Sequence, residues 1–136
     1  MHPRMTHICV HVENLGECVE FYRRYCRMEV IDDRSVDGAG SIYLAETGDG
    51  EKPVFQFKSG GKTRTLEKTD ETHFGFAVES RERVDEIAAR GREDGVLFWE
   101  ADEYMPGAYL CSLQDPNGNG VEFSFGHPAP PARAWP

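Results

Sequence analysis

The chain has 136 residues and a formal net charge of −9 at pH 7, and 39% of its residues are hydrophobic. This length suits one compact domain with a buried core. The acidic balance argues against nucleic acid or an anionic membrane surface as a partner, and no apolar run approaches the ~18 residues of a membrane-spanning helix. The N-terminal residues lack the apolar stretch of a signal peptide, so a cytoplasmic protein is expected. None of the four cysteines forms a C-x-x-C pair, and reduced thiols are expected at Cys9, Cys18, Cys26 and Cys111.

The first half of the chain predicts one strand, one helix and three further strands. Met5–Val12 alternates and is rich in Ile and Val, as a half-buried strand is. Asn14 is a helix N-cap with Glu17 completing a capping box, and apolar residues at helical spacing continue the helix to about Arg27. Three strands then follow between turn residues, at about Met28–Arg34, Ser41–Glu46 and Val54–Lys58.

The second half predicts the same order of elements, joined to the first by a polar linker. The tight turn Asp115–Gly118 connects its last two strands. We therefore divide one domain of residues 1–136 into module one at about 5–58, a linker at 59–71, module two at about 72–126 and a poorly ordered tail at 127–136. The predicted elements of module two are a strand at Thr72–Val78, a helix at Arg81–Arg90 and strands near Val96–Ala101, Ala108–Gln114 and Val121–Phe125.

The two halves repeat at an offset of 66 residues, and this one offset carries all the matches without a gap. The period is too long for a solenoid repeat. We therefore predict an α+β fold of two βαβββ modules in tandem, each a curved mixed sheet that encloses a metal and substrate cavity, with the helices outside. The matches are Thr6-His7 with Thr72-His73, Asn14 with Ser80, Tyr43-Leu44 with Tyr109-Leu110 and Phe57 with Phe123.

Strand alternation places potential metal ligands on the sheet faces that point away from the helices. His7 and His11 share that face in the first strand, and Gln56 has it in the last strand of module one. The repeat gives His73 and Glu122 the matching places in module two. Imidazole, carboxylate and amide oxygen ligands suit a divalent ion such as Zn²⁺, Ni²⁺, Co²⁺, Fe²⁺ or Mn²⁺. One such ion per site is the predicted cofactor.

Two motifs carry a family resemblance. His7–Val12 followed by Phe21-Tyr22 opens module one, and Asp115–Glu122 closes module two. They resemble the motifs of the vicinal oxygen chelate superfamily, which includes glyoxalase I, methylmalonyl-CoA epimerase, extradiol dioxygenases and fosfomycin and bleomycin resistance proteins. The resemblance covers nearly the whole chain and implies a small-molecule substrate and a homodimer. It places the metal positions on His7, Gln56, His73 and Glu122, a pattern similar to that of glyoxalase I.

The resemblance implies a metal-dependent isomerase or lyase of the glyoxalase I (lactoylglutathione lyase) type, acting on vicinal oxygens through a metal-stabilised enediolate. Glu122, the only carboxylate of the four ligands, is the candidate base, and His11 is a second acid–base group or a substrate contact. Glyoxalase I commonly carries Arg at the place of His11 and Asn at that of Gly60, so the use of glutathione stays open. The candidate substrate contacts are Lys58, Tyr109 and Ser124, and the expected pocket-lining loops are Ser59–Glu71 and Trp99–Gly107.

Two other activities stay open. An Fe²⁺ extradiol-type dioxygenase would use the two-His, one-carboxylate set His7, His73 and Glu122, although Ser112 stands where that class carries Tyr. A bleomycin-resistance-like ligand-binding protein is the third reading, and the four ligands speak against it. A phosphonate substrate is disfavoured, because the segment Glu100–Glu103 is acidic where fosfomycin-type transferases carry a cationic loop.

Overall fold

The structure of the protein is a computed structural model that describes residues 2–48 and 53–127. The chain forms two compact units. The first holds the described residues up to Thr65 together with Pro116–Gly118, and the second holds Leu66–Asp115 and the described residues from Asn119 onward. Each unit contains one strand, one helix and three further strands, which confirms the predicted α+β fold of two βαβββ modules. The predicted disordered tail lies, from residue 128, outside the described residues.

Module one is a mixed four-stranded sheet with one helix. Its elements are β1 (Ile8–Val12), α1 (Leu15–Cys26), β2 (Met28–Asp33), β3 (Ser41–Glu46) and β4 (Phe55–Ser59). The sheet order is β1-β4-β3-β2, and only the β1–β4 pair is parallel. α1 begins as predicted, because the Asn14 side-chain oxygen accepts a hydrogen bond from the Glu17 N–H at 3.0 Å. It ends at Arg27, which adopts the left-handed conformation.

Module two repeats this arrangement. Its elements are β5 (His73–Ala77), α2 (Arg81–Glu93), β6 (Leu97–Met105), β7 (Ala108–Gln114) and β8 (Gly120–Phe125). The sheet order is β5-β8-β7-β6, with β5 and β8 parallel. The Ser80 hydroxyl caps α2 by accepting from the Arg83 N–H at 3.1 Å. In the described part of the chain, neither α1 nor α2 is long and apolar enough to cross a membrane.

The core of each module lies between its helix and its sheet. In module one the buried ring of Tyr22 on α1 lies 5.2 Å from both Phe55 and Phe57 on β4, measured between ring centroids. Such aromatic pairs add ~0.5–1.5 kcal/mol beyond the area they bury. In module two Phe123 and the Cys111 thiol are fully buried, and that thiol donates to the Val84 carbonyl on α2. Since side chains alternate along β4 and β8, Gln56 and Glu122 point away from the helices, as predicted.

Outside β6, two boundaries differ from the prediction by three residues, and the others differ by one residue at most. β1 begins at Ile8 rather than at Met5, because the first ladder bond of this strand runs from the Ile8 N–H to the Val54 carbonyl at 2.9 Å. In this register His7 would pair with Val54, which precedes the first residue of β4. α2 ends at Glu93 rather than at Arg90, one turn later.

The prediction of a loop at Trp99–Gly107 is wrong, because most of this segment belongs to a strand. β6 extends from Leu97 to Met105, and Met105 pairs with Ala108 at the start of β7. Only two residues, 106 and 107, separate the strands, and Gly107 has a positive φ of 82° that suits a tight hairpin turn. The ladder between β6 and β7 has three register shifts, so β6 is a bulged edge strand.

The two modules do not align at a single offset, which corrects the gapless repeat. Gln56 on β4 pairs with Tyr43 on β3, whereas Glu122 on β8 pairs with Ser112 on β7. Gln56 and Glu122 are 66 residues apart, but Tyr43 and Ser112 are 69 apart. The difference lies in the number of residues between the last two strands, which are residues 47–54 in module one and 115–119 in module two. A shift of three is odd, so it exchanges the two faces of the strand.

A buried asparagine fixes the end of β1. Asn117 is 2% exposed, and its Oδ1 accepts from the Glu13 N–H at 3.0 Å while its Nδ2 donates to the His11 carbonyl at 3.2 Å. The Arg64 N–H donates to the Asn117 carbonyl at 2.8 Å. Gly118 follows with a φ of +85°, and a Cβ there would stand 2.0 Å from the Arg64 carbonyl oxygen. Both residues are therefore constrained by close backbone contacts.

Candidate metal centre

Two predicted ligands meet in module two. The Nε2 of His73 lies 3.1 Å from Oε2 of Glu122, with 40% of the His73 side chain and 13% of the Glu122 side chain exposed. They come from the parallel neighbours β5 and β8, where Gly75 pairs with Glu122. A Cβ at Gly75 would stand 4.0 Å from Oε1 of Glu122, which is an ordinary van der Waals contact. One side of this pair opens to solvent.

The hydrogen bonding of His73 fits a metal ligand. Its Nδ1 lies 2.5 Å from the Glu71 carbonyl oxygen, which can only accept, so Nδ1 carries the hydrogen. In a neutral ring the lone pair of Nε2 then faces the Glu122 carboxylate, and two electron-pair donors so close together need a proton or a cation between them. Ligand bonds of ~2.0–2.2 Å to one ion place neighbouring donor atoms about 3 Å apart. A carbonyl that orients the second ring nitrogen is also the usual support of a metal-bound His.

The pair lies in a half-open pocket of module two. Across the sheet, Trp99, Ser112, Glu122 and Gly75 form one row of paired residues. The linker Ser59–Glu71 was expected to line a pocket, and three of its residues, Leu66, Asp70 and Glu71, do so. The lining residues are Leu66, Asp70, Glu71, Thr72, His73, Phe98, Trp99, Ser112, Gly120 and Glu122.

The other two predicted ligands lie in module one. Gln56 pairs with Cys9 on one side and with Tyr43 on the other, on the sheet face away from α1. His7 directly precedes β1, and its ring meets the ring of Tyr43 edge-on at a centroid distance of 6.1 Å. His7 and Gln56 therefore both neighbour Tyr43, a residue of this face that the sequence prediction did not include. The guanidinium of Arg34 stacks over the same ring at 4.9 Å.

The structure describes each ligand pair within its own module. In residues 2–48 and 53–127, no three His, Cys, Asp or Glu side chains stand together in a group that could hold a metal ion. That one ion takes ligands from both pairs therefore stays a prediction.

Three further predicted site residues lie on the same faces as the ligand pairs. His11 and Lys58 are paired neighbours on β1 and β4, and both are exposed. Ser124 lies two residues after Glu122 on β8, pairs with Ala77 and is buried. None of the three is among the residues that line the pocket around Glu122, and the acid–base and substrate-contact roles stay predictions.

Tyr109 lies on the opposite face, so it is removed from the candidate site. Its hydroxyl donates to Asp85 on α2 at 2.5 Å, and Arg81 of the same helix stacks over its ring at 4.8 Å. The hydrogen bond to the carboxylate raises the pKa of Tyr109 to about 12. The cause of the misplacement is the three-residue shift of β7. The residue that takes the place of Tyr43 in module two is Ser112.

The module faces differ in thiol exposure, which gives one testable prediction. Cys9 is exposed on the face of His7 and Gln56, whereas Cys111 is buried, and burial raises the pKa of its thiol to about 12. A thiol reagent at pH 8 is therefore expected to react first with one thiol per chain, and Cys9→Ser should remove this phase. Cys111→Ser should leave it unchanged. A fast phase that survives Cys9→Ser would contradict the assignment.

Comparison with known proteins gives the family. The profile of the Glyoxalase/Bleomycin resistance protein/Dioxygenase superfamily matches residues 4–123. Uncharacterized protein PA2024 of Pseudomonas aeruginosa is 42% identical over 132 residues, which cover 96% of this chain and 94% of that protein. The chain belongs to the Glyoxalase/Bleomycin resistance protein/Dioxygenase superfamily, and the resemblance seen in its motifs is confirmed.

Solved structures agree on the fold. The fosfomycin resistance protein FosX of Listeria monocytogenes matches with a TM-score of 0.71 and 20% identity, over 93% of this chain and 95% of that one. The trypanothione-dependent glyoxalase I of Leishmania major matches with a TM-score of 0.64 and 20% identity, over 90% and 86%. Proteins with different substrates share this fold, so the activity has to be argued from the site itself.

Proposed function

We propose that the protein is a metal-dependent isomerase or lyase of the glyoxalase I type, which moves a proton between carbons of a small substrate with two neighbouring oxygens. The supporting observation is the His73–Glu122 pair at 3.1 Å, with the second ring nitrogen of His73 held by the Glu71 carbonyl. We propose that His7 and Gln56 complete the ligand set. The homodimer and the cytoplasmic location expected from the sequence are part of this proposal.

The proposed chemistry assigns one task to the ion and one to Glu122. A bound Zn²⁺, Ni²⁺, Co²⁺, Mn²⁺ or Fe²⁺ would supply positive charge that stabilises the negative charge developing on the substrate oxygens. Glu122 accepts the proton that the substrate carbon loses and returns it to the neighbouring carbon. We assign substrate contacts to His11, Lys58 and Ser124.

A second candidate is an Fe²⁺ extradiol-type dioxygenase. His7, His73 and Glu122 would form its two-His, one-carboxylate set. Ser112 stands directly beside Glu122 in the place where that class carries Tyr, and its hydroxyl lies 3.4 Å from the Leu113 carbonyl oxygen. This small residue favours the isomerase. Oxygen uptake by the iron-loaded protein with a catechol would favour the dioxygenase instead.

Metal content tests the proposal. The protein purified without a His-tag is expected to hold about one divalent ion per chain, measured by inductively coupled plasma mass spectrometry. His73→Ala should weaken metal binding by more than ~10-fold, because loss of even a supporting partner costs 10–100-fold in affinity.

The matched control is His127→Ala, which removes an exposed imidazole outside the pocket. It should leave the metal content unchanged. Equal metal binding by the His73→Ala protein and the native protein would contradict the proposed centre, and so would a native chain that binds none of the five ions after reconstitution.

A further inference from the structure

We propose that the pocket beside Glu122 selects substrates whose vicinal oxygens are attached to an uncharged or cationic aromatic ring, and that Trp99 is the main specificity residue. This inference rests on the proposed function and adds a substrate class to it. It depends on three features of module two: a wall of aromatic residues, a gap next to the carboxylate, and an acidic rim.

The wall is built by neighbouring residues of the bulged strand β6. Phe98 and Trp99 both line the pocket, with ring centroids 6.4 Å apart and planes inclined by 11°. The Tyr104 ring packs against Trp99 at a centroid distance of 5.4 Å, and its hydroxyl donates to the Glu100 carbonyl at 2.7 Å. Trp99 is therefore held between two aromatic neighbours, Phe98 and Tyr104, and lines the pocket.

The gap arises because a small residue separates this wall from the carboxylate. Ser112 pairs with Trp99 on one side and with Glu122 on the other. Two strand spacings of ~4.8 Å put about 10 Å between the backbones of Trp99 and Glu122. A flat ring above Ser112 can contact the Trp99 side chain while its attached oxygens reach the His73–Glu122 pair. In module one the same place holds the bulky Tyr43.

The charges around the pocket disfavour an anionic ring. Besides the proposed ligand Glu122, the carboxylates of Asp70 and Glu71 line it. The ammonium of Lys68 lies 4.1 Å from the centre of the Phe98 ring and donates to the Phe98 carbonyl, so it packs against the wall residue. Aromatic faces also attract cations rather than anions. A neutral or cationic arene therefore fits both the wall and the rim.

Two hydroxamates test this inference, because they share one bidentate vicinal-oxygen group and differ in its substituent. Calorimetric titration of the Zn²⁺-loaded protein is expected to show benzohydroxamate binding about tenfold more tightly than acetohydroxamate. Trp99→Leu should reduce this preference to about twofold without changing the affinity for acetohydroxamate. 4-Carboxybenzohydroxamate should bind more weakly than benzohydroxamate. The control Phe125→Leu changes an exposed aromatic residue of β8 outside the pocket and should preserve the preference.

Each outcome separates the inference from the proposed function. Equal affinity for the two hydroxamates, or a preference that survives Trp99→Leu, overturns the aromatic subsite and leaves the metal centre standing. If the protein takes up no Zn²⁺, or if neither hydroxamate binds to the loaded protein, the proposed function is wrong, because no ion at this site chelates vicinal oxygens. The subsite is then decided on the metal-free protein with Trp135→Phe, in which Trp99 is the sole tryptophan. Benzamide should quench its fluorescence and acetamide should not; equal responses overturn the subsite.

Discussion

Replacing Glu122 with glutamine is expected to leave the divalent ion bound and to slow proton transfer at the substrate carbon by ~10²–10⁴-fold, the range typical of a lost general base. Glutamine has nearly the same shape and keeps an oxygen donor, as Gln56 does in the proposed set. It cannot accept the proton. With the ion bound between them, the amide oxygen can take the place of Oε2, which lies 3.1 Å from Nε2 of His73, so the geometry of the pair should change little.

Exchange of the α-hydrogen of an aryl α-hydroxyketone with deuterium, followed by proton NMR, measures this step. Metal content is determined on the same samples. Glu79→Gln is the matched control, since this exposed residue precedes α2 outside the pocket lining, and it should exchange at the native rate. Undiminished exchange by Glu122→Gln would remove the base from the mechanism. Loss of the ion from this variant would instead make Glu122 an indispensable ligand.

Asn117→Ala is expected to lower the free energy of unfolding by ~2–4 kcal/mol, because each buried backbone group left without its partner costs ~1–3 kcal/mol. The substitution removes the acceptor of the Glu13 N–H and the donor to the His11 carbonyl. Both lie at the end of β1, so the strand that carries His11 should also loosen. The side chain is 2% exposed, which leaves little access for water to replace these bonds.

Urea denaturation followed by circular dichroism checks this value. Asn14→Ala offers a graded comparison, because it removes one exposed capping hydrogen bond and should cost only ~1 kcal/mol. An effect of Asn117→Ala no larger than that of Asn14→Ala would show that water or a backbone shift replaces the lost bonds. The Asn117 side chain would then contribute less to the free energy of unfolding than its burial suggests.

Local signals in the sequence predict most of the fold. The cap at Asn14 fixed the start of α1, and the alternation around Gln56 and Glu122 gave the correct faces of β4 and β8. These features depend on neighbouring residues and on periods of two or 3.6. The extent of β1 and the length of β6 depend instead on where the partner strand begins and ends. That information lies in pairing between distant segments, which local patterns do not contain.

The candidate site was predictable to the same degree. His73 and Glu122 were assigned from strand alternation and the repeat, and the structure places them together. Tyr109 was misplaced because turns of different length precede β4 and β8, and a gapless repeat cannot represent such a difference. Tyr43, Ser112 and Trp99 were not recognised as neighbours of the ligands. Pairing across a sheet determines their positions. This pairing can be predicted from one sequence only when the lengths of the connections between strands are predicted correctly.

The three-residue difference between the modules also limits how the protein can be engineered by internal symmetry. A designer who copies residues from one half to the other along the numbering would move the counterpart of Tyr43 to position 109, where the side chain belongs to the helix interface. The equivalent position is Ser112. Placing tyrosine at Ser112 would fill the space beside Glu122. Residues of β1 and β5, and those of β4 and β8, correspond at the 66-residue offset. The duplication therefore relates the ligands and the first and last strands of each module, whereas the third strand of each module, β3 or β7, gives that half its own chemistry.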